Sequence, residues 1–117
     1  MKVFPPYLDK GSRGTAVLAL QCFLVGLGRF NEKVRVDGLI IDGDYGDLTA
    51  TAVRSLQALF NFDVKDQDGN FGPLTRPEVA ANFGFDADAI DVSPEMAGTT
   101  FFFAPDQEGE QVWPEAA

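Results

Sequence analysis

Apolar residues recur at three- and four-residue steps over 12–28, where Val17, Leu20 and Leu24 mark one stripe and Gln21 rides beside them. Ala16, Leu18, Cys22, Phe23 and Val25 widen that stripe almost to the full circumference, which predicts a helix at the centre of the core. Ser12 is the expected N-cap, and Gly26 and Gly28 are the expected stop. The period changes at 33–42, K-V-R-V-D-G-L-I-I-D, where β-branched residues alternate around Asp37-Gly38. An Asp-Gly pair suits a two-residue type I′ turn, so a small β-hairpin is expected there. Helical spacing returns over 47–60 through Ala52, Val53, Leu56 and Phe60. A third, shorter helix is expected to open at Pro73 behind Gly72 as N-cap, and to run through Val79 and Phe83 to Gly84.

Two of these helix starts are written almost identically. D-G-D-Y-G-D-L-T at 42–49 returns as D-G-N-F-G-P-L-T at 68–75, and V-x-x-L-Q-x-x-L of the first helix returns as V-x-x-L-Q-x-x-F in the second. Loop and helix therefore repeat together as one supersecondary unit. The third copy lacks the Leu-Gln pair, as a terminal repeat that ends an array does.

Charge divides the chain at a different place from hydropathy. Residues 1–85 hold nine Lys and Arg against ten Asp and Glu, whereas 86–117 hold eight acids and no base, so most of the net charge of −9 belongs to the C-terminal part. The expected organisation is a domain over 1–85 and an acidic extension over 86–117. T-T-F-F-F-A and Q-V-W in that extension are apolar enough for a hairpin over 99–113, docked on the domain or on a partner. No basic cluster is present for a nucleic-acid backbone, and no run is long and apolar enough for membrane insertion. M-K-V-F-P-P-Y-L-D-K does not read as a signal peptide.

Several chemistries are disfavoured by what the chain contains. One cysteine, Cys22, excludes an intrachain disulfide, and the lack of His removes the commonest zinc ligand and general base. Asp42 and Asp44 match the first ligand positions of a calcium loop, but Asp47 stands where that loop requires Gly, and Val53 where it requires Glu. Among 1–85 the only glutamates are Glu32 and Glu78, neither in the setting of a glycosidase acid. The expectation is a protein without metal, cofactor or catalytic residues.

Taken in order, Leu8, Gly11-Ser12-Arg13-Gly14, Val17, Leu20-Gln21, Leu24 and Gly28 lead the set. Asp42-Gly43-x-Tyr45-Gly46-x-x-Thr49, Ala52-Val53, Leu56-Gln57 and Asp68-Gly69-x-Phe71-Gly72-Pro73-x-Thr75 follow. Together they closely resemble the peptidoglycan-binding domain found beside bacterial and phage cell-wall hydrolases. The resemblance spans 8 to about 83. It implies a mainly α fold: a three-helix bundle with internal helix-loop repeats, to which this chain adds the expected hairpin and the acidic extension. The implied function is non-catalytic attachment to peptidoglycan, at the wall after lysis or non-classical export, or within a phage particle. The alternative is a structural adaptor of a phage particle or envelope assembly, docking a protein partner through the same fold and the acidic extension.

The candidate ligand residues lie on one shallow face, where the two repeated loops and the helix starts are expected to converge. Asp42 and Asp68 are either ligand carboxylates or, more simply, acceptors for backbone N–H groups of their own turns. Tyr45 either stacks on a sugar or, like Phe71, plugs the core while its hydroxyl stays wet. Gln57, and Gln21 before it, holds either a loop carbonyl or a ligand amide. Arg54 and Arg76, with Arg13, are placed to receive stem-peptide carboxylates, or else are solvated surface. Cys22 reads as a core thiol.

Overall fold

The computed structural model describes residues 7–87. Among the described residues three helices follow one another, α1 (Thr15–Phe30), α2 (Asp47–Leu59) and α3 (Thr75–Phe83), with a 3-10 turn at Val64–Asp66 between the second and third. The mainly helical, three-helix architecture expected from the sequence is therefore present. The C-terminal extension and its hairpin over 99–113 lie outside the described residues.

α1 and α2 each start at a glycine N-cap whose carbonyl accepts the first helical bond, Gly14 from Leu18 (3.1 Å) and Gly46 from Ala50 (3.0 Å). α3 begins at Thr75 behind Leu74, not at Pro73 behind Gly72 as expected: Gly72 O accepts the Thr75 and Arg76 N–H groups (3.1 and 3.0 Å) in a turn ahead of the helix. Ser12 is not the N-cap of α1. Its hydroxyl is used one turn earlier, accepting the Asp9 N–H at 3.1 Å and donating to Asp9 Oδ1 at 3.3 Å, which closes a tight turn ahead of the helix. Nor do Gly26 and Gly28 stop α1, which continues to Phe30. Both glycines are buried, and Gly28 serves a close approach: a Cβ there would stand 3.1 Å from Arg35 Cα.

The expected hairpin over 33–42 does not form. The stretch is irregular, with one turn closed by Leu39 N–H to Val36 O at 3.2 Å. A type I′ turn needs positive φ at both central residues, and here Gly38 (87°) has it while Asp37 does not. Except for Ile40, which is exposed, its apolar residues pack inward rather than pairing across a ladder. Val34 is fully buried, and Val36, Leu39 and Ile41 lie partly buried against the core.

α1 supplies the centre of that core, as its wide apolar face requires. Val17, Leu20, Phe23 and Leu24 share one buried cluster with Val53 and Leu56 of α2 and Val79 of α3. Past α3, Gly84 takes the left-handed conformation and the chain folds back. Phe85 then stacks on Phe23 with centroids 4.6 Å apart and meets Phe71 edge-on at 6.3 Å. Phe85 is fully buried, so the domain is closed by a residue at the very end of the repeat region.

The segment before α1 joins the two loops. Leu8 pairs with Phe71 in an antiparallel bridge (3.0 and 2.8 Å), and Arg13 pairs with Asp44 in a second, flanked by Gly11 N–H to Tyr45 O at 2.9 Å and Tyr45 N–H to Ser12 O at 2.9 Å.

Candidate functional site

The two repeated loops are built around two buried glutamines used in the same way. Gln21 of α1 donates from Nε2 to Asp42 Oδ1 (3.1 Å), Asp44 O (2.9 Å) and Thr49 Oγ1 (3.1 Å). Its Oε1 accepts the Asp42 and Gly43 N–H groups at 3.0 and 2.9 Å. Gln57 of α2 repeats this on the second loop, donating to Asp68 Oδ1 (3.1 Å), Asn70 O (3.0 Å) and Thr75 Oγ1 (3.0 Å), and accepting Gly69 N–H at 2.9 Å. A buried amide with this many partners has its capacity filled within the protein. Each helix thus fastens the loop that starts the next helix.

Asp42 and Asp68 complete the same pattern. Besides the glutamine, Asp42 Oδ1 accepts the Asp44 N–H at 2.9 Å, and Asp68 Oδ1 accepts the Asn70 N–H at 3.0 Å. Both residues nevertheless remain exposed, so each carboxylate keeps a face to solvent.

Tyr45 is not a surface residue, and its hydroxyl is not wet. The ring is buried, and the hydroxyl donates to Gly69 O at 2.6 Å, which ties the first loop to the second. Burial, with the Asp68 and Asp9 charges behind it, pushes the phenol up from its ordinary value. Gly69 is held just as closely from its other side: at φ 77°, a Cβ there would lie 2.8 Å from Ala50 O. Burial likewise pushes the Cys22 thiol up, which makes it an inert core group.

In place of one shared face, the structure forms two concavities, one per repeat. The first, about 230 Å³, is lined by Gln21, Asp42, Asp44, Gly46, Leu48 and Thr49, with Leu39 and Ile40 at its edge. The second, about 200 Å³, is lined by the repeat equivalents Gln57, Asp68, Asn70, Gly72, Leu74 and Thr75, with Tyr7 at its edge. Asp42 therefore falls in the first, and Asp68 with Gln57 in the second. Arg54 is exposed on α2 and Arg76 half-buried in the first turn of α3, and neither belongs to the lining of these two concavities. Arg13 is engaged with Asp44 at 2.9 Å, and Lys10 with Asp47 at 3.0 Å, both at the surface.

Leu48 and Leu74, both exposed, were missed among the candidates, as was Tyr7, whose hydroxyl accepts from Asn70 Nδ2 at 2.8 Å. The leucines had a signal: they recur at one place in both copies of the phrase, yet fall off the buried stripe of their helices. For Tyr7 the sequence carried none.

The chain is similar to the SleB N-terminal domain. The crystal structure of that domain aligns at 24% identity and a TM-score of 0.46, over 68% of this chain and 96% of that one. No family model and no curated protein matches the chain. Among the described residues, no group of His, Cys, Asp and Glu is arranged to hold a metal ion, and no helix is long and apolar enough to cross a membrane.

Proposed function

We propose that this chain is a non-catalytic peptidoglycan-binding module acting at the bacterial cell wall. What supports the reading is the D-G-x-aromatic-G-x-x-T phrase by which the chain resembles wall-binding domains. It is present twice, and each copy forms a concavity with a solvent-facing Asp, an exposed Leu and a helix start. Such a surface offers backbone N–H groups to acetamido carbonyls and apolar contact to sugar faces, on a shallow floor. Binding at each unit of the polymer is accordingly weak, and retention comes from several copies acting on one wall. Arg54 and Arg76 take the carboxylates of stem peptides from outside the concavities.

Co-sedimentation of the full chain with purified sacculi, across a series of salt concentrations, tests this. The chain is expected in the pellet at low salt, with less retained as salt rises. Arg54→Ala is expected to weaken retention about threefold to tenfold with the melting curve unchanged, the loss of one exposed charge-assisted contact. A chain that stays in the supernatant at every salt concentration is no wall-binding module. The adaptor reading, favoured by the exposed Ile40 and Leu48 beside the first loop, would then stand in its place.

A further inference from the structure

Asp-Gly occurs three times in the chain, at 37–38, 42–43 and 68–69, and the fold holds two of these pairs but not the third. In the repeated loops Gly43 N–H donates to Gln21 Oε1 and Gly69 N–H to Gln57 Oε1, each at 2.9 Å. The carboxylates beside them are fixed as well, since Oδ1 of Asp42 and of Asp68 accepts the N–H two residues on, at 2.9 and 3.0 Å. Both of these glycines are buried. The pair at 37–38 instead sits in the irregular stretch after α1, at the centre of the turn closed by Leu39 N–H to Val36 O. Both residues are exposed, and among the described residues neither the Asp37 carboxylate nor the Gly38 N–H has a hydrogen-bond or ion-pair partner.

An Asp before Gly is reactive because glycine has no Cβ to hinder the approach of its nitrogen to the neighbouring carboxyl. The Gly38 nitrogen bonds to Asp37 Cγ and gives up its proton, and one carboxyl oxygen leaves as water, which closes a succinimide ring. Water then adds at either ring carbonyl. Cleavage of the new N–Cγ bond restores aspartate, whereas cleavage of the original bond from Asp37 C to Gly38 N leaves the chain running through the side chain as isoaspartate. Water lost is water regained, and no oxidant or reductant takes part. A glycine nitrogen whose hydrogen is held by a buried amide, next to a carboxylate fixed in its own turn, makes this approach only after local opening. We propose that Asp37 is a site of spontaneous conversion to isoaspartate, and that the two glutamines protect Asp42 and Asp68 from the same reaction. The product adds one methylene to the backbone where Gly38 lines the first concavity, directly ahead of Leu39 and Ile40 at its edge. The assignment is independent of what that concavity binds.

The test is incubation of the full chain in mildly acidic buffer, where carboxyl groups begin to take up the proton they need to lose water. Peptide mapping with electron-transfer fragmentation then separates isoaspartate from aspartate at each position. In the folded chain isoaspartate is expected at 37 at least about tenfold faster than at 42 or 68, the ratio set by the opening of the held loops. In urea the loops are released, and the three rates are expected to agree within about threefold. Gln57→Met frees Gly69 N–H and is expected to raise the rate at 68 about threefold to tenfold, with the rate at 42 unchanged and circular dichroism confirming that the helices remain. Equal rates at 37 and 68 in the folded chain would overturn the inference. So would a folded chain that stays unmodified at 37 while the unfolded chain reacts there, or a rate at 68 unmoved by the Gln57 substitution.

Discussion

At the scale of single residues, the two glutamines fasten the repeated loops to the helices before them. Gln57→Met keeps the volume of the side chain but leaves Gly69 N–H without its partner and Asn70 O with only the bond from Thr75 Oγ1 at 3.4 Å. The expected cost is about 2–4 kcal/mol, read as a lowered urea midpoint at unchanged slope. Tyr45→Phe removes one buried bond to Gly69 O and is expected to cost about 1–2 kcal/mol in the same measurement. Tyr45 and Cys22 also set the alkaline limit. Both groups are pushed up by burial, so both hold their protons more tightly in the folded chain than in the unfolded one. Their contribution is complete below the unfolded values, about 8.5 for a thiol and about 10 for a phenol, and is withdrawn as pH rises past them. Stability is expected to be level up to about pH 8 and then to fall, by at most ~1.4 kcal/mol per pH unit for each group. The double variant Cys22→Ala, Tyr45→Phe should flatten that decline in denaturant titrations at stepped pH. A decline of equal slope in the variant would place its cause in other groups.

At the scale of elements, the repeat runs as a relay in which each helix fixes the beginning of its successor. The series stops at α3 because Phe83 stands where Gln57 stands in α2. Its ring packs against Phe23 at 5.9 Å and Phe60 at 6.0 Å, in place of an amide that reaches for a further loop. Gly69→Ala probes the seat of the second loop on α2, since it adds a Cβ at 2.8 Å from Ala50 O in a backbone conformation that suits glycine. A loss of about 2–3 kcal/mol is expected by urea unfolding, with the helical circular dichroism signal retained at low temperature. Much of this level was legible in the sequence. The helices followed from the spacing of Val17, Leu20, Leu24 and Val53, Leu56, and loop-tying was one of the two uses the sequence left open for Gln21 and Gln57 at their equivalent places. The hairpin was misread because alternation over 33–41 reports burial of every second residue, and that burial is met here by packing on α1 without a second strand. Gly28 misled for a related reason: its smallness serves the approach of Arg35, which no pattern within α1 announces. In the site, sequence equivalence suggested one converging face. The two concavities share no lining residue, and Tyr45 between the loops is buried with its hydroxyl on Gly69 O.

At the scale of the whole molecule, closure depends on residues far apart in sequence. Phe85 reaches back to Phe23 and Phe71, and Phe85→Ala is expected to cost about 3–5 kcal/mol, with a melting temperature lower by many degrees. The segment at 8–14 has the longest reach, since its partners lie in both repeated loops. Both loops must be in place before it finds a complete set of acceptors, so in folding it is a late arrival and in unfolding an early departure. Hydrogen exchange should therefore show the amides of Leu8 and Gly11 opening at lower free energy than those of Leu20 or Leu56, as a fraying unit in its own right. A clasp of this kind gives the domain a threshold: forms clipped within the first dozen residues would keep their helices while losing the alignment of one loop with the other.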